Sequence, residues 1–522
     1  MSKTRENFEQ PRAGGTDTTG SRGTVPSWIV LTLVCLAQFM VVLDISIVNV
    51  ALPSIQADLG FSISGLQWVV NAYTIFFAGF LLLGGRAADL FGRRRVFLIG
   101  LGMFTAASFL GGLAQTQGML LVARALQGLG GAVLAPATLT IITTTFSEGP
   151  SRARALGVWS AVAAAGASAG ALLGGILTDL LSWRWILFVN VPIGIVAIAA
   201  ARAFLPESRA DLGHRRLDAA GAVTVTAGLV ALVYAIVRTQ TYAWSSAQVL
   251  APLAIALALL GAFTVIEGRL ASSPLVPFRI FRSRSITVGN VFIMLFFAAM
   301  FGAWYFETLY MQHVLGYSPL QAGLAFLPQT LLIATGSQVT SRLVTRTGTR
   351  PLLVVGTAVT ALGLLWLSRI TASSGFLADL LGPYVLIGTG MGLSVTPVVV
   401  AATNGVPRQD AGLASGLLNT SRIVGAALGL AALSTVAADR TSALLAGVST
   451  GPARVAAALT DGYARGLVVG AIVLVAALLA ALAIPALRQS SAPRAADARD
   501  PDTPSAGEVI PLLEDETELQ TA

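Results

Sequence analysis

Three charged residues lie inside long apolar stretches of this chain. Asp44 is within LVCLAQFMVVLDISIVNVALP, Arg124 within LVARALQGLGGA and Glu307 within FGAWYFETLYMQ. A charge at the centre of a bilayer costs about 2.5 to 3.5 kcal/mol even on lenient insertion scales. Each of the three therefore indicates either a function or a specific partner, and proton exchange is the first chemistry to consider.

The two carboxyl groups are candidates for proton coupling. Burial disfavours the ionised form, so such a group can hold a proton in one conformation and release it in another. Asp44 is the first candidate, and its alternative role is that of a neutral or paired structural residue. Glu307, near the outer end of its stretch, is the second candidate. It could instead bind a cationic substrate, or stay hydrated near the interface without a function.

Arg124 poses a different question, because its guanidinium cannot lose its charge and needs an acceptor. Asp44 or a substrate group could be that acceptor. A cation beside an acid disfavours protonation of the acid, so separation of the two groups could change the proton affinity. The alternative is a structural hydrogen bond to backbone carbonyls. Arg422 raises the same question.

Aromatic residues crowd the stretch around Glu307 and could stack on a flat substrate or attract a cation. Some of them must face lipid, and an interfacial aromatic belt explains Trp68 equally well. The candidate substrate cavity comprises Trp68, Tyr73, Gln127, Phe301, Trp304 and Tyr305.

Membrane-spanning helices must position these side chains. Of the 522 residues, 55% are hydrophobic and 11% charged, whereas soluble domains carry about 25% charged residues. The single cysteine, Cys35, excludes an internal disulfide framework. Spans are predicted near 28–50, 68–88, 95–113, 118–143, 153–178, 185–204, 217–238, 248–267, 286–311, 320–342, 351–370, 378–402, 411–437 and 464–487.

Arginine distribution predicts the orientation of these spans. The connections that follow even-numbered spans are rich in arginine, and the opposite connections are poor in it, although Arg184, Arg369, Arg440, Arg454 and Arg465 are exceptions. Positive loops remain inside, so both termini are expected in the cytoplasm. The net charge of +8 is scattered between apolar runs and does not indicate nucleic-acid binding.

An internal repeat divides the chain. Gly85–Gly100 reads GRAADLFGRRRVFLIG and Ser341–Gly356 reads SRLVTRTGTRPLLVVG, so that Gly92 and Gly348 correspond at an offset of 256 residues. Duplication predicts two six-helix bundles, 28–204 and 285–487, with a two-helix linker insertion over 205–284. The segments 1–27 and 488–522 are expected to be disordered cytoplasmic tails.

These motifs resemble the major facilitator superfamily, in its fourteen-helix drug:proton antiporter branch. LDISIVNVALP, the loop with Gly85, Asp89, Gly92 and Arg93, and LVARALQGLGGA carry the resemblance, as do WRWILFVNVPIG and YMQHVLGYSPLQAGLAFLP. The resemblance implies an all-α membrane fold of 6 + 2 + 6 helices with pseudo-twofold halves. In the loop, an acid at a helix start and arginines at helix carbonyl ends would act as a gate.

A glycine ladder also resembles the antiporter motif and comprises Gly157, Gly166, Gly170 and Gly174. The resemblance places these glycines along the seam between the halves, where small residues permit close helix approach. Ala171 stands where the family has a proline, so the residue to which the family's kink is attributed is absent here.

The expected function is the export of small hydrophobic or amphipathic drugs or antibiotics in exchange for protons across a bacterial cell membrane. An importer or metabolite carrier of the same fold is the alternative, and sodium exchange stays open. No GxxxxGK[ST] loop, nucleophile elbow or metal-ligand cluster occurs, so we expect neither an enzyme nor ATP drive. No metal or cofactor is expected beyond the proton gradient, and a monomer is expected.

Overall fold

The computed structural model describes residues 26–146, 150–207, 218–239, 241–272, 274–403, 411–446 and 451–485, apart from some side chains within helices. The predicted tails at 1–27 and 488–522 thus lie almost wholly outside the described residues. The described part contains helices, turns and bends and no β-strand. Because backbone groups in lipid must be satisfied within the segment, helix is the expected state.

Helix occupies each of the fourteen predicted stretches, in two cases with a break. Twelve of these segments are long and apolar enough to cross a membrane, whereas the crossing by α5 and α12 stays a prediction. In chain order the helices are α1 Ser27–Leu59, α2 Ile63–Phe91, α3 Arg93–Gly112, α4 Gln117–Thr145, α5 Pro150–Leu180, α6 Trp185–Phe188, α7 Asn190–Phe204, α8 Ala219–Arg238, α9 Ala247–Val265, α10 Arg284–Leu309, α11 Pro319–Ala325, α12 Leu327–Thr347, α13 Thr349–Leu367, α14 Leu381–Thr403, α15 Ala411–Leu445 and α16 Pro452–Ala483.

Several helices extend beyond the predicted spans. α1 continues to Leu59, where Gly60 adopts a φ of 67° and its N–H bonds to the carbonyl of Gln56. α16 begins at Pro452 rather than near 464. Polar residues outside the hydrocarbon do not end a helix, because its backbone hydrogen bonds remain intact. Glycine and proline end or begin it instead.

The repeat predicted from spacing recurs in backbone conformation and in packing. Gly92 and Gly348 both have positive φ, 103° and 80°, and each joins two successive helices. A Cβ placed on Gly425 would contact the carbonyl of Met294 in α10, just as one on Gly166 would contact that of Phe39 in α1. Thus α5 packs on α1 in the same way as α15 packs on α10.

α8 and α9 pack against each other, and α8 also packs against α2 and α15. Only 11% of the apolar window of the segment Ala247–Leu270 is buried within the protein. An apolar helix that is so little covered by protein must be covered by lipid. This pair therefore lies at the periphery of the helix bundle.

Candidate functional site

Asp44 lies at the centre of a buried polar network in the first six helices. Its carboxylate accepts hydrogen bonds from Arg124 Nη1 at 2.6 Å, Gln127 Nε2 at 2.8 Å and Asn190 Nδ2 at 3.2 Å. Asp44 is 0% exposed and Arg124 is 1% exposed. Three donors around one carboxylate supply hydrogen bonds in a place where lipid offers none.

The remaining contacts of Arg124 satisfy its charge. Its Nε donates to the carbonyl of Val69 at 3.1 Å, and its Nη1 donates to Gln127 Oε1 at 2.8 Å. The guanidinium also lies 4.5 Å from the ring centre of Tyr73. Two of the three kinds of acceptor considered from the sequence are therefore present, namely the Asp44 carboxylate and a backbone carbonyl. Removal of either charge would leave the other buried and uncompensated.

Four helices position the network. Arg124 and Gln127 are three residues apart on α4 and therefore share a face. Gly128 allows α4 to approach α2 closely, since a Cβ there would meet the carbonyl of Tyr73. Asp44 comes from α1 and Asn190 begins α7. Asn190 is not among the residues predicted from the sequence, although it is the one amide within WRWILFVNVPIG.

Glu307 occupies a separate pocket in the later helices. It is 2% exposed and shares that pocket with Tyr310 of the helical turn after α10, Leu367 of α13 and Tyr384 of α14. Gln329 lies beside its carboxylate, but neither carboxylate oxygen makes a hydrogen bond of ordinary geometry. The interpretation of Glu307 as a hydrated interfacial acid is therefore wrong for this conformation.

The residues predicted to form one substrate cavity do not lie together. Tyr73 and Gln127 belong to the Asp44 network. Trp68 faces α8, with its ring 6.5 Å from that of Tyr234. Tyr305 is fully buried and packs edge-on against Phe306. This disagreement arises because α2 and α10 each contact several neighbours, so aromatic residues along one helix face different partners.

Phe301 and Trp304 remain as a partly exposed pair on α10. Their ring centres are 5.4 Å apart, and the ring of Phe297 is 6.3 Å from that of Phe301. Arg422 of α15 lies 5.4 Å above Phe297 and donates from Nε and Nη2 to Asn419 Oδ1, at 3.1 and 2.7 Å. In the described part of the chain, Arg422 has no carboxylate partner.

In the predicted gating loop, the acidic residues lie at other helix ends than expected. Asp89 lies in the last turn of α2 rather than at a helix start, and its side chain is outside the described set. Gly92 ends α2, and Arg93 begins α3. The acid at the start of α3 is instead Glu207, which accepts from the backbone N–H of Arg94 at 3.2 Å. Negative charge at a helix N-terminus is favourable, so this contact fastens the start of α3.

The residues of this loop also contact α4 and α7. A Cβ on Gly85 would lie 3.4 Å from Pro136. The guanidinium of Arg94 donates to the carbonyl of Arg202, near the end of α7, at 2.5 Å. Arg94 therefore links α3 to α7.

The glycine ladder packs within one group of helices. Added Cβ atoms at three of its glycines would meet α1, at Phe39, Ser46 and Ile47, whereas Gly157 faces open space. The position expected from the family resemblance, along the seam between halves, is thus corrected for Gly166, Gly170 and Gly174. α5 is a helix from Pro150 to Leu180 with no break.

A contact between the two groups of helices comes from neighbours of the ladder. A Cβ on Gly175 would lie 2.6 Å from the carbonyl of Pro319, and one on Gly323 would lie 2.5 Å from that of Ala171. Gln312 Nε2 donates to the carbonyl of Val50 at 2.7 Å, and Ser318 Oγ donates to Asp179 Oδ2 at 3.1 Å. These contacts close what we term the distal end of the bundle, where α1 ends and α11 begins.

Two buried acids that the sequence analysis did not single out lie beside the peripheral helix pair. Asp218 accepts from the N–H of Gly221 at 2.7 Å and so caps α8. Glu267 accepts from the N–H of Val276 at 3.0 Å. Both residues are more than nine-tenths buried. Their role as helix and loop caps accounts for one oxygen of each.

Comparison with known proteins identifies the group to which this architecture belongs. The chain is 46% identical to the cephamycin export protein CmcT of Amycolatopsis lactamdurans, over 92% of this chain and 97% of that protein. It is 41% identical to the puromycin resistance protein pur8 of Streptomyces alboniger, over 86% and 90% of the two chains.

The fold matches solved structures as well. A bacterial homolog of the human lysosomal transporter Spinster, crystallised inward-facing and unoccupied, superposes with a TM-score of 0.61 at 17% identity, covering 88% of this chain and 97% of that one. Residues 34–430 match the description Major Facilitator Superfamily. This protein is therefore a multi-pass membrane transporter, not an enzyme, and belongs to the Major Facilitator Superfamily.

Proposed function

We propose that this protein exports small hydrophobic or amphipathic drugs or antibiotics from the bacterial cytoplasm in exchange for protons, and so confers resistance. Relatives named for antibiotic export and resistance share 46% and 41% of their aligned residues with it. They support the direction and the class of substrate. The proton gradient would be the energy source, without a further cofactor.

The proposed layout is fourteen spans in a monomer, with bundles at 28–204 and 285–487 and an inserted pair within 205–284. Equivalent glycine contacts in α1–α5 and α10–α15 support the paired bundles. The peripheral position of α8 and α9 supports their insertion. Arginine-rich connections after even-numbered spans support cytoplasmic termini. The distal end would then face the outside of the cell.

The buried ion pair of Asp44 and Arg124 is the observation that carries the proposal. When Asp44 takes up a proton, Arg124 loses its anionic partner and must rely on other acceptors. The free-energy balance of the network then changes, as does the packing of α1 against α4 and α7. Movement of one charge through the membrane potential supplies about 2.3 kcal/mol per 100 mV.

α1 provides a route from this network to the seam between bundles. It holds Asp44 on one side, and its Val50 carbonyl accepts from Gln312 of the second bundle. Release of Arg124 would allow α1 to shift and thereby weaken the distal contacts. The ladder glycines, packed on α1, would make α5 follow it. The loop of Gly85, Asp89, Gly92 and Arg93 would act as the gate at the opposite end.

Glu307 is the second proposed proton site. Its carboxylate has no hydrogen-bond donor of ordinary geometry, and its surroundings are aromatic and aliphatic. A carboxyl group in such a site has no counter-charge of its own, and a nearby cationic substrate would supply one. Exchange of a proton for a cation at this position is therefore consistent with antiport.

Everted membrane vesicles from a pump-deficient host provide the test. Puromycin added to energised vesicles should release protons from the lumen, and a pH-sensitive dye should report this release. We expect Asp44→Asn to reduce the signal and the resistance of intact cells at least tenfold, and Glu307→Gln to reduce both. Arg440→Gln, at an exposed pair with Asp461, is the control and should retain both.

The result also decides between exporter and importer, since an importer would lower the resistance of intact cells rather than raise it. If both acid variants retained gradient-dependent efflux, the proton-coupling assignment would be wrong. Replacement of the pH gradient by a sodium gradient separates the two candidate ions in the same vesicles.

A further inference from the structure

Arg422 is a permanent cation whose described partners are all neutral. One amide oxygen, that of Asn419, accepts from two of its nitrogens, and the ring of Phe297 lies below it. A guanidinium carries five N–H donors, so most of its capacity is unused by these contacts. Arg124, by contrast, is matched by a carboxylate. A cation held in a membrane protein without an anion is a candidate for binding one.

The position of Arg422 on α15 directs it towards the interior of the bundle. Gly425 and Gly429 form the edge of α15 that packs on α10, and Gly416 lies against Leu82 of α2. Val424 lines the space shared with α8. At 3.6 residues per turn, Arg422 falls between the edges facing α10 and α2, on the side opposite Val424. It is therefore directed away from the peripheral helix pair.

A strip of aromatic rings extends from this cation along α10. Phe297, Phe301 and Trp304 are spaced four and three residues apart, so they share one face. Their ring centres follow one another at 6.3 and 5.4 Å, and the last two side chains are only partly buried. The strip offers flat apolar surface for stacking, whereas Arg422 offers paired donors at one end.

We infer that Arg422 and the Phe297–Phe301–Trp304 strip form a binding site for amphipathic anions, in which an acidic group pairs with Arg422 and a flat apolar body lies on the strip. This inference rests on the proposed export function and names a substrate class for it. A planar guanidinium matches the two oxygens of a carboxylate or sulfonate better than an ammonium does.

Two dyes with one aromatic skeleton test this assignment. 1-Anilinonaphthalene-8-sulfonate carries the anionic group, and N-phenyl-1-naphthylamine lacks it. Binding of each to the full chain in nanodiscs is measured by fluorescence, with empty nanodiscs subtracted. We expect Arg422→Gln to weaken binding of the sulfonate at least tenfold and to change binding of the neutral dye less than twofold.

Further variants separate charge from stacking and from folding. Arg440→Gln removes another cation from α15 and should leave both dyes unaffected. Phe301→Ala should weaken both dyes to a similar extent. Equal weakening of both dyes by Arg422→Gln, or of neither, would overturn the inference. Puromycin-driven proton release, measured separately on the same variant, reports on the export function whatever the dyes show.

Discussion

At the scale of single residues, the buried charges of Asp44 and Arg124 compensate each other, so neither residue contributes to stability without its partner. Their 2.6 Å contact is enclosed by Gln127, Asn190 and Tyr73, and neither charge reaches solvent. Loss of one partner from such a pair is far more costly than loss of both, since the remaining charge stays buried. The energetic effect of a substitution therefore depends on its partner.

Arg124→Leu should lower the free energy of unfolding by about 3 to 5 kcal/mol, because it leaves the Asp44 carboxylate uncompensated. The double variant Asp44→Asn with Arg124→Leu should regain most of that loss while remaining inactive. Thermal unfolding of the purified protein in detergent, followed by size-exclusion chromatography, measures both effects.

Arg440→Leu provides the matched control for that comparison, because its pair with Asp461 is about half exposed. Exposed pairs contribute about 0 to 1 kcal/mol. A double variant no more stable than Arg124→Leu would show that the two charges do not interact as the contact implies.

The sequence allowed this residue pair to be predicted, because charges in apolar stretches are conspicuous. It did not allow prediction of Asn190 as a partner, since a neutral amide 146 residues from Asp44 carries no comparable signal. Arg184, an exception to the arginine distribution, also has partners that the sequence did not indicate. It pairs with Asp58 at 2.8 Å and lies against Trp183, so its charge is locally matched.

At the scale of helices, glycine positions determine how closely neighbours approach. On α5, Gly170 lies where a Cβ would be 2.5 Å from the Cβ of Ser46. Gly157 belongs to the same ladder, yet a Cβ there would meet nothing within 4 Å. The regular spacing therefore conceals two different environments, which the sequence alone could not separate.

Gly170→Ala should destabilise the protein by about 1 to 3 kcal/mol, because the new methyl group overpacks the contact between α5 and α1. Gly157→Ala should be neutral or stabilising by up to about 1 kcal/mol, since alanine favours helix and has room there. Melting temperatures of the two variants in the same detergent give the comparison. Equal shifts for both would contradict the packing described for α5.

Helix ends were the least predictable feature of the elements. Apolar runs indicated where hydrocarbon is crossed, but α1 and α16 continue through polar residues. The acid beside Gly92 was also predicted at the wrong helix end. Glu207, more than 100 residues away, and not Asp89, lies at the start of α3.

At the scale of the whole molecule, the distal contacts join the two helix bundles, which also meet where α15 packs against α2. Ser318 and Asp179, together with Gln312 and Val50, bridge them through side chains. Such polar contacts are individually weak, about 0.5 to 1.5 kcal/mol each, so they can be broken during a transport cycle. Alternating access requires contacts of this kind.

A disulfide at this seam should stop transport. In a Cys35→Ser background, we expect oxidation of Asp179→Cys with Ser318→Cys to cross-link the bundles and reduce efflux at least tenfold, with recovery after reduction. Each single cysteine variant should transport normally under oxidation. Undiminished efflux by the fully cross-linked protein would mean that the distal end does not open.

The family-level architecture could thus be predicted from apolar runs, sequence motifs and repeated glycines. The seams between helices could not be predicted, since they depend on contacts between residues that are distant in the sequence, such as Ser318 and Asp179, 139 positions apart. The predicted substrate cavity failed for that reason, as Trp68 proved to contact α8.

The repeated packing shows which residue of the second bundle corresponds to Arg124 of the ion pair. Gly100 packs beside Gly130 as Gly356 packs beside Gly390, so the third and fourth helices of the two bundles align at an offset of 390 − 130 = 260 residues for α4 and α14. At that offset, Arg124 corresponds to Tyr384, an uncharged side chain beside Glu307. The two bundles therefore share their glycine packing but differ in charge at this position. The fourth helix of the first bundle thus supplies a cation to its neighbouring acid, whereas the fourth helix of the second bundle supplies a neutral phenol.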